Sequence, residues 1–436
     1  MLRAEVERNL IIDHPQVFDA YFRQVAQLSD IATAVFERCS NADPPMYTKD
    51  VGWTDWPPSC KEDEVLGFLR RHLDQFLLFA NEQGFQPLKR RRCVTAPNHP
   101  LAGSVGKRKL AVGIARSNSS ESEDEEPQCN WSHILVPGEL KSNPQKDSHN
   151  DTWLDISRYV REVFASQDTR QFVLGFALCG SIMRLWEIDR LGGVGSTSFN
   201  INTDGSKFVS MMLGFLWMNE EELGFDPIII EGDDERVYIA ELMKWQRSIA
   251  GRATTCWKGY IGADEPGDPI VIKDSWEYED RLEEGLLLQE AIKAGVENVA
   301  RYYHHETVCF GGAVDDVLGS VREGLKDDDG RNLFEHRRTR LCDALVSATT
   351  SGHESLASKA KILHRDISSG NVMLNEVEDD GLLIDFDLAV KIDREKASGV
   401  PSQELSESKY DSWNSKNTEE LAEIKKGKVD EEDKFN

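Results

Sequence analysis

Residues 362–387 read ILHRDISSGNVMLNEVEDDGLLIDFD, and the reading of this stretch decides the fold. His364-Arg365-Asp366 is followed by Asn371, and the apolar run Leu382-Leu383-Ile384 delivers Asp385. Phosphoryl transfer needs a carboxylate to orient the attacking hydroxyl. It also needs a neutral oxygen ligand and a second carboxylate to hold Mg2+ against nucleotide phosphates. Asp366, Asn371 and Asp385 supply those three groups in a fitting order and spacing. His-Arg-Asp alone would carry little weight, because any tripeptide recurs by chance, and the simpler reading is a surface turn before a buried strand. Asn371 and the strand-borne Asp385 tip the reading toward chemistry.

Working upstream, Ser248 to Trp257 (SIAGRATTCW) is a candidate phosphate-covering hairpin. Gly251 lets backbone approach a phosphate, although Ala253 stands where a middle glycine is usual. Pro269-Ile270-Val271-Ile272-Lys273 is a short strand ending in lysine, placed to pair nucleotide phosphates. Asp280 to Ala294 reads as an amphipathic helix. Glu284, followed by Leu287 and Leu288, is the best partner for Lys273, with Glu290 as the alternative. Val299 to Val308 reads as a further strand. Cys309 to Arg340 shows no strand-like apolar run, so the strand that would present backbone to an adenine is expected to be missing. Leu341 to Ser358 reads as helix.

Composition bounds the rest. The 436 residues suffice for two or three cored domains, and 39% hydrophobic content suits a globular chain. A net charge of −26 disfavours nucleic acid and anionic membranes as partners. No apolar run approaches the ~18 residues of a membrane span. The eight cysteines are scattered with no C-x-x-C pair, which points to a reducing compartment, nucleus or cytoplasm.

The N-terminal region carries helical spacing (Val17, Tyr21, Val25, Leu28, Ile31, Val35), and Glu64 to Phe79 is a strong amphipathic helix. Residues 86–130 are rich in Pro, Ser, Gly and charge, and disorder is expected there. Within them Lys89-Arg90-Arg91-Arg92 and Lys107-Arg108-Lys109 suggest either a bipartite nuclear-import signal or a solvated basic linker. Ser117 to Ser122, running into Glu123-Asp124-Glu125-Glu126, suit an acid-directed kinase. Glu139-Leu140-Lys141 at a strand end, before the helix at Trp153 to Phe164, offers a remote metal-dependent nuclease reading. That chemistry needs an upstream carboxylate, for which Asp124 is the nearby candidate; the simpler reading is an ion pair.

Taken together, VPGELKSN (Val136 to Asn143), FALCGSIMRLWEIDRLG (Phe176 to Gly192), AGRATTCW (Ala250 to Trp257), VIKDSW (Val271 to Trp276), EEGLLLQEA (Glu283 to Ala291), GHESL (Gly352 to Leu356), LHRDISSGN (Leu363 to Asn371) and LIDFDLA (Leu383 to Ala389) resemble the fungal-type protein kinase family. The resemblance covers Trp131 to Ile392. It implies ATP-dependent phosphorylation of protein, with ATP and Mg2+ as cofactors. It makes Asp366 the catalytic base, has Asn371 and Asp385 hold the metal, and makes Lys273 with Glu284 the nucleotide-anchoring pair. Ser368 stands in place of a catalytic-loop lysine, and Asp387 in place of the glycine of D-F-G. The chain beyond Asp387 is polar and lacks the family's Thr-Gly-Thr activation segment, so an incomplete lower lobe is expected. A pseudokinase acting as a binding scaffold is the alternative.

The fold class expected is therefore α+β: a protein-kinase-like fold with an incomplete C-lobe, preceded by a mixed α/β region and an N-terminal helical unit. The expected boundaries are 1–85 helical, 86–130 disordered linker, 131–230 α/β region, 231–391 kinase-like domain and 392–436 polar tail.

Overall fold

The computed structural model describes residues 2–96, 100–103, 108–117, 130–226, 237–246, 248–261, 270–278, 282–296, 299–310, 312–322, 325–326, 338–346, 355–364, 372–375, 380–383, 386 and 389–391.

The upstream half is built on one large mixed sheet. Helix α1 (Leu2–Val6), strand β1 (Leu10–His14) and helices α2 (Val17–Phe22) and α3 (Leu28–Ser40) lead to a small hairpin, β2 (Tyr47–Thr48) and β3 (Gly52–Trp53), and to α4 (Glu62–Glu82). Strands β4 (Arg91–Ala96), β5 (Leu110–Arg116) and β6 (Ile134–Lys141) follow. Then come α5 (Asn150–Ser166), β7 (Phe172–Cys179), β8 (Ile182–Asp189), β9 (Gly193–Ser196), β10 (Phe199–Asn200) and α6 (Gly205–Trp217). The sheet order is β1-β9-β8-β7-β6-β5-β4, with β10 added on β8. β6 and β7 are parallel, joined by α5, and β1 lies parallel to β9.

β7 reads FVLGFALC, an unbroken apolar run, because both faces of the sheet are covered. Leu174, Phe176 and Leu178 enter the core beneath α3, α4 and α6, while Val173, Ala177 and Cys179 enter the core beneath α1 and α5. Helix α6 is apolar all round and almost wholly buried, as expected of a helix enclosed by its own domain. Gly138 is required where the parallel strands meet, since a Cβ there would strike the Phe176 ring.

Two expectations change here. Residues 1–85 are not a separate helical unit: Val17, Val35, Phe76 and Trp53 share one core with Leu174, Phe176 and Phe208. The expected linker 86–130 contains β4 and β5, which extend the sheet beyond β6. LAVGIAR (Leu110–Arg116) is a continuous apolar strand, buried for nearly its whole length, whose pattern was obscured by the basic cluster before it.

The second half carries a five-stranded antiparallel sheet. Its strands are β11 (Val237–Trp245), β12 (Thr255–Ile261), β13 (Ile270–Tyr278) and, after helix α7 (Glu284–Lys293), β14 (Arg301–Thr307). Short strands β15 (Cys309–Phe310) and β16 (Ala313–Val314) and a π-helical turn (Val317–Val321) precede β17 (Arg338–Val346). The order is β11-β12-β13-β17-β14. β17 corrects two expectations. The strand thought missing is present, hydrogen-bonded on both sides between β13 and β14, and Leu341 to Val346 is strand rather than helix. RTRLCDALV lacks a clean period-2 pattern, and non-local pairing decides its conformation. Further along the chain, β18 (Ile362–Leu363) pairs with β21 (Val390–Lys391), and β19 (Val372–Asn375) pairs with β20 (Asp380–Leu383). Among the described residues no helix is long and apolar enough to cross a membrane.

Candidate active site

β13 runs IVIKDSWEY, and Lys273 sits on it with only 4% of its surface exposed. A lone ammonium buried this far is costly unless paired. The partner comes from α7, where Glu284, Leu287, Leu288 and Ala291 form the buried face and Leu286, Glu290 and Ile292 the outer one. Lys273 Nζ donates to Glu284 Oε2 in a buried ion pair. The other carboxylate oxygen, Oε1, accepts from the Phe386 backbone N–H at 2.8 Å. Glu290 faces outward and pairs with Lys391 at 2.6 Å. Of the two glutamates considered from sequence, the helix turns Glu284 toward Lys273.

Phe386, from the stretch 362–387, is held by this pair. His364 and Phe386 are fully buried, and their rings meet edge to face at 5.0 Å and 70°. Phe386 shares a core with Leu287, Leu288, Leu356 and Ile362, so the helix that carries Glu284 rests on both arms of the stretch. Val372 pairs with Leu383 in the β19–β20 hairpin. Asp366, Asn371 and Asp385 lie outside the described residues, as do Ser368 and Asp387.

The β11–β12 turn differs from a free phosphate-covering loop. Ile249 is fully buried in the upstream core beneath α1 and α5. The Gly251 amide donates to the Arg190 carbonyl at 3.0 Å, and Arg190 Nη1 donates to the Ser248 carbonyl at 2.9 Å. The amide of Gly251, the glycine expected to let backbone approach a phosphate, is thus engaged by Arg190. The Ile249 amide donates to Glu5 Oε1 at 2.5 Å, and neither Glu5 nor Arg190 could be found from the sequence because nothing local ties them to a turn so distant in the chain.

Glu139 and Lys141 come together as an ion-pair network. Lys141 Nζ lies 2.6 Å from Glu139 Oε1 and 2.8 Å from Asp155 Oδ2, and Tyr159 donates to Glu139 Oε2 at 2.7 Å. Burial raises the Glu139 carboxyl above its ordinary range, and the Lys141 ammonium offsets part of that. Among the described residues no group of three or more His, Cys, Asp and Glu is arranged to hold a metal ion, and Asp124 lies outside them. In the basic clusters, Arg91 is buried and donates to the Phe215 carbonyl at 2.8 Å and to that of Met218. Arg108 pairs with Glu162 at 3.1 Å, and Lys89, Arg90 and Lys109 are exposed.

A five-stranded antiparallel sheet with a buried lysine–glutamate pair linking its third strand to the following helix, the glutamate also holding the Phe386 amide, together with the His-Arg-Asp and Asp-Phe sequence motifs, defines a protein-kinase-like fold. The fungal protein kinase family model matches the chain over residues 109–339 and 327–406, and the chain belongs to that family. The match begins at β5, so it takes in much of the upstream sheet as well. A search of curated proteins found no match.

Proposed function

We propose that the chain uses ATP and Mg2+ to phosphorylate protein. One observation carries this reading: Glu284 joins Lys273 with one carboxylate oxygen and the Phe386 amide with the other. The lysine is thereby fixed at the sheet, and the Phe386 backbone amide is tied to the same carboxylate. Catalysis of phosphoryl transfer is mostly positioning and electrostatics, so a cation held by a glutamate that also holds the Phe386 amide is the preparation it needs. The buried Lys273 ammonium suits nucleotide phosphates. Asn371 and Asp385 would hold Mg2+, and Asp366 would accept the proton of the attacking hydroxyl. Bound Mg-ATP would supply the phosphoryl group. The test is radiolabelled ATP with generic protein substrates, comparing the parent with Lys273→Met and Asp366→Ala. Incorporation lost in both variants supports the reading; incorporation unaffected by either sinks it.

A second reading, a nucleotide-binding scaffold without turnover, is favoured by the engagement of the Gly251 amide, which leaves fewer donors for phosphate. Lys273-dependent binding of Mg-ATP with no phosphoryl transfer would select it. Nuclear import is a separate proposal, supported by the exposure of Lys89, Arg90 and Lys109. A fluorescent fusion with those three changed to Ala should lose nuclear enrichment, and an unchanged distribution would remove the idea.

A further inference from the structure

The N-terminus of α7 is gripped from two strands at once. Lys273 on β13 and His305 on β14 both stand opposite position 343 of β17, so their side chains lie in one row across the sheet and on the same face. Lys273 takes Glu284. His305 takes the residues on either side of it. Its Nε2 lies 3.3 Å from Glu283 Oε2, and its ring sits so close to Gly285 that a Cβ there would come within 2.3 Å of His305 Cγ. Glycine inside a helix normally costs stability, and at position 285 it lets the imidazole reach the helix backbone. Glu283 is the N-cap of α7, yet its carboxylate caps no helix amide and turns to His305 instead. On the other side of the ring, Nδ1 lies 2.9 Å from the Tyr302 hydroxyl, and the two rings meet edge to face at 5.4 Å. Tyr302 in turn packs on the core that holds Leu287 and Leu288 of the same helix.

We propose that His305 is a positioning residue for phosphoryl transfer: it sets the place of the α7 N-terminus, and so the place at which Glu284 meets Lys273 and the Phe386 amide. The effect on turnover rests on the phosphorylation reading, while the grip rests on the contacts of His305 with Glu283, Gly285 and Tyr302. A helix end held at one residue can still turn about that contact. A second hold, on the residues to each side, removes that freedom. Phe386 registers the result, because its N–H donates to Glu284 Oε1 at 2.8 Å. His304, the preceding residue on β14, is exposed and lies 3.4 Å from Glu306, so it shares the chemistry of His305 but not its place against α7.

The experiment uses the full chain labelled with 15N-phenylalanine, measuring the Phe386 amide signal together with kcat and KM for Mg-ATP. The parent is compared with His305→Phe, His305→Gln, Gly285→Ala and His304→Phe. His305→Phe keeps a ring but loses both polar contacts. It is expected to move the Phe386 signal and to lower kcat/KM roughly tenfold, a fraction of the ~100-fold that a 1 Å misplacement can cost. Gly285→Ala pushes on the same ring and should act alike, which maintains the comparison if the phenylalanine variant folds poorly. His305→Gln keeps a donor for Glu283 and should recover part of both effects, and His304→Phe should move neither. In a Glu284→Gln background, His305→Phe should cost about twofold or less, because the residue it acts through is gone. A Phe386 signal unmoved by His305→Phe and Gly285→Ala overturns the proposal, as does an active parent whose kcat/KM survives both changes. A parent that transfers no phosphate, while both changes still move the Phe386 signal, removes the phosphorylation reading and leaves the grip standing.

Discussion

Arg322 grips Asp189 across the two halves of the molecule, with Nε 2.5 Å from Oδ2 and Nη2 2.9 Å from Oδ1, and neither side chain meets solvent. Arg322 follows the π-helical turn inserted between β14 and β17, and Asp189 ends β8. Asp189 also accepts from the Leu191 and Gly192 amides at 2.7 and 3.0 Å. Glu187 lies 3.9 Å from the guanidinium, and burial beside Asp189 raises its carboxyl well above the ordinary range. Replacing Arg322 with Met strands buried negative charge, which costs about 3–5 kcal/mol. Urea denaturation should show that loss, and Asp189→Asn combined with Arg322→Met should lose less than the sum of the single changes. A loss below about 1 kcal/mol would mean the pair is dispensable.

Glu284 and Glu290 share a helix but not a role. Under the kinase reading, Glu284→Gln loosens Lys273 and should lower kcat/KM for ATP by about 100-fold, the order of effect expected of a misplaced group. Glu290→Gln removes only an exposed pair with Lys391, worth about 0–1 kcal/mol, and should leave kcat/KM within about twofold. Equal losses in both variants would contradict the geometry.

Ile249 fills the upstream core, so Ile249→Ala should destabilise the chain by about 2–5 kcal/mol. Ile239, on the outer strand β11, is 53% exposed, and Ile239→Ala should change stability by no more than about 0.5 kcal/mol. Thermal unfolding of the two variants side by side gives the comparison. Matching transitions would show that the turn is not anchored.

His72 gives the fold a pH dependence. It stacks on Phe68 at 3.9 Å and meets Trp53 edge to face at 5.0 Å, and Nδ1 donates to the Phe68 carbonyl at 3.0 Å. Burial lowers its pKa below the ordinary 6.5, with Asp55 pulling upward and Arg71 adding to the depression. The unfolded chain then takes up a proton that the folded chain refuses, so this contribution to stability declines as pH falls below about 6.5. The urea midpoint should drop between pH 7 and pH 5.5, and His72→Phe should flatten the trend. A midpoint that rises on acidification in the parent but not in the variant would reverse the sign assigned to His72.

Local signals carried much of the architecture. Glu64 to Phe79 was legible because its apolar residues recur at helical spacing, and α4 runs slightly beyond it at both ends. Lys273 and Glu284 could be paired because one strand and one helix, adjacent in the chain, carry them. β17 was not legible, since its conformation is fixed by neighbours on β13 and β14 rather than by its own pattern. β4 was hidden by arginines: Arg91 reads as solvent-facing, yet its guanidinium satisfies carbonyls at the end of α6, and burial draws its pKa down to about 10. The contacts of Glu5, Arg190 and Arg322 join residues too far apart for any periodicity to report.

The insertion that carries Arg322 has a consequence for synthesis. Val317, Leu318, Val321 and Leu325 belong to the same core as α2, α3 and α6. Tyr21 also donates to the Val321 carbonyl at 3.0 Å. As the chain leaves the ribosome, the upstream sheet and its helices emerge first, yet the core stays open until the residues around 325 have followed. A domain that emerges early but closes late exposes apolar surface in the interval. The nascent upstream half therefore keeps part of its apolar surface uncovered until the residues around 325 arrive.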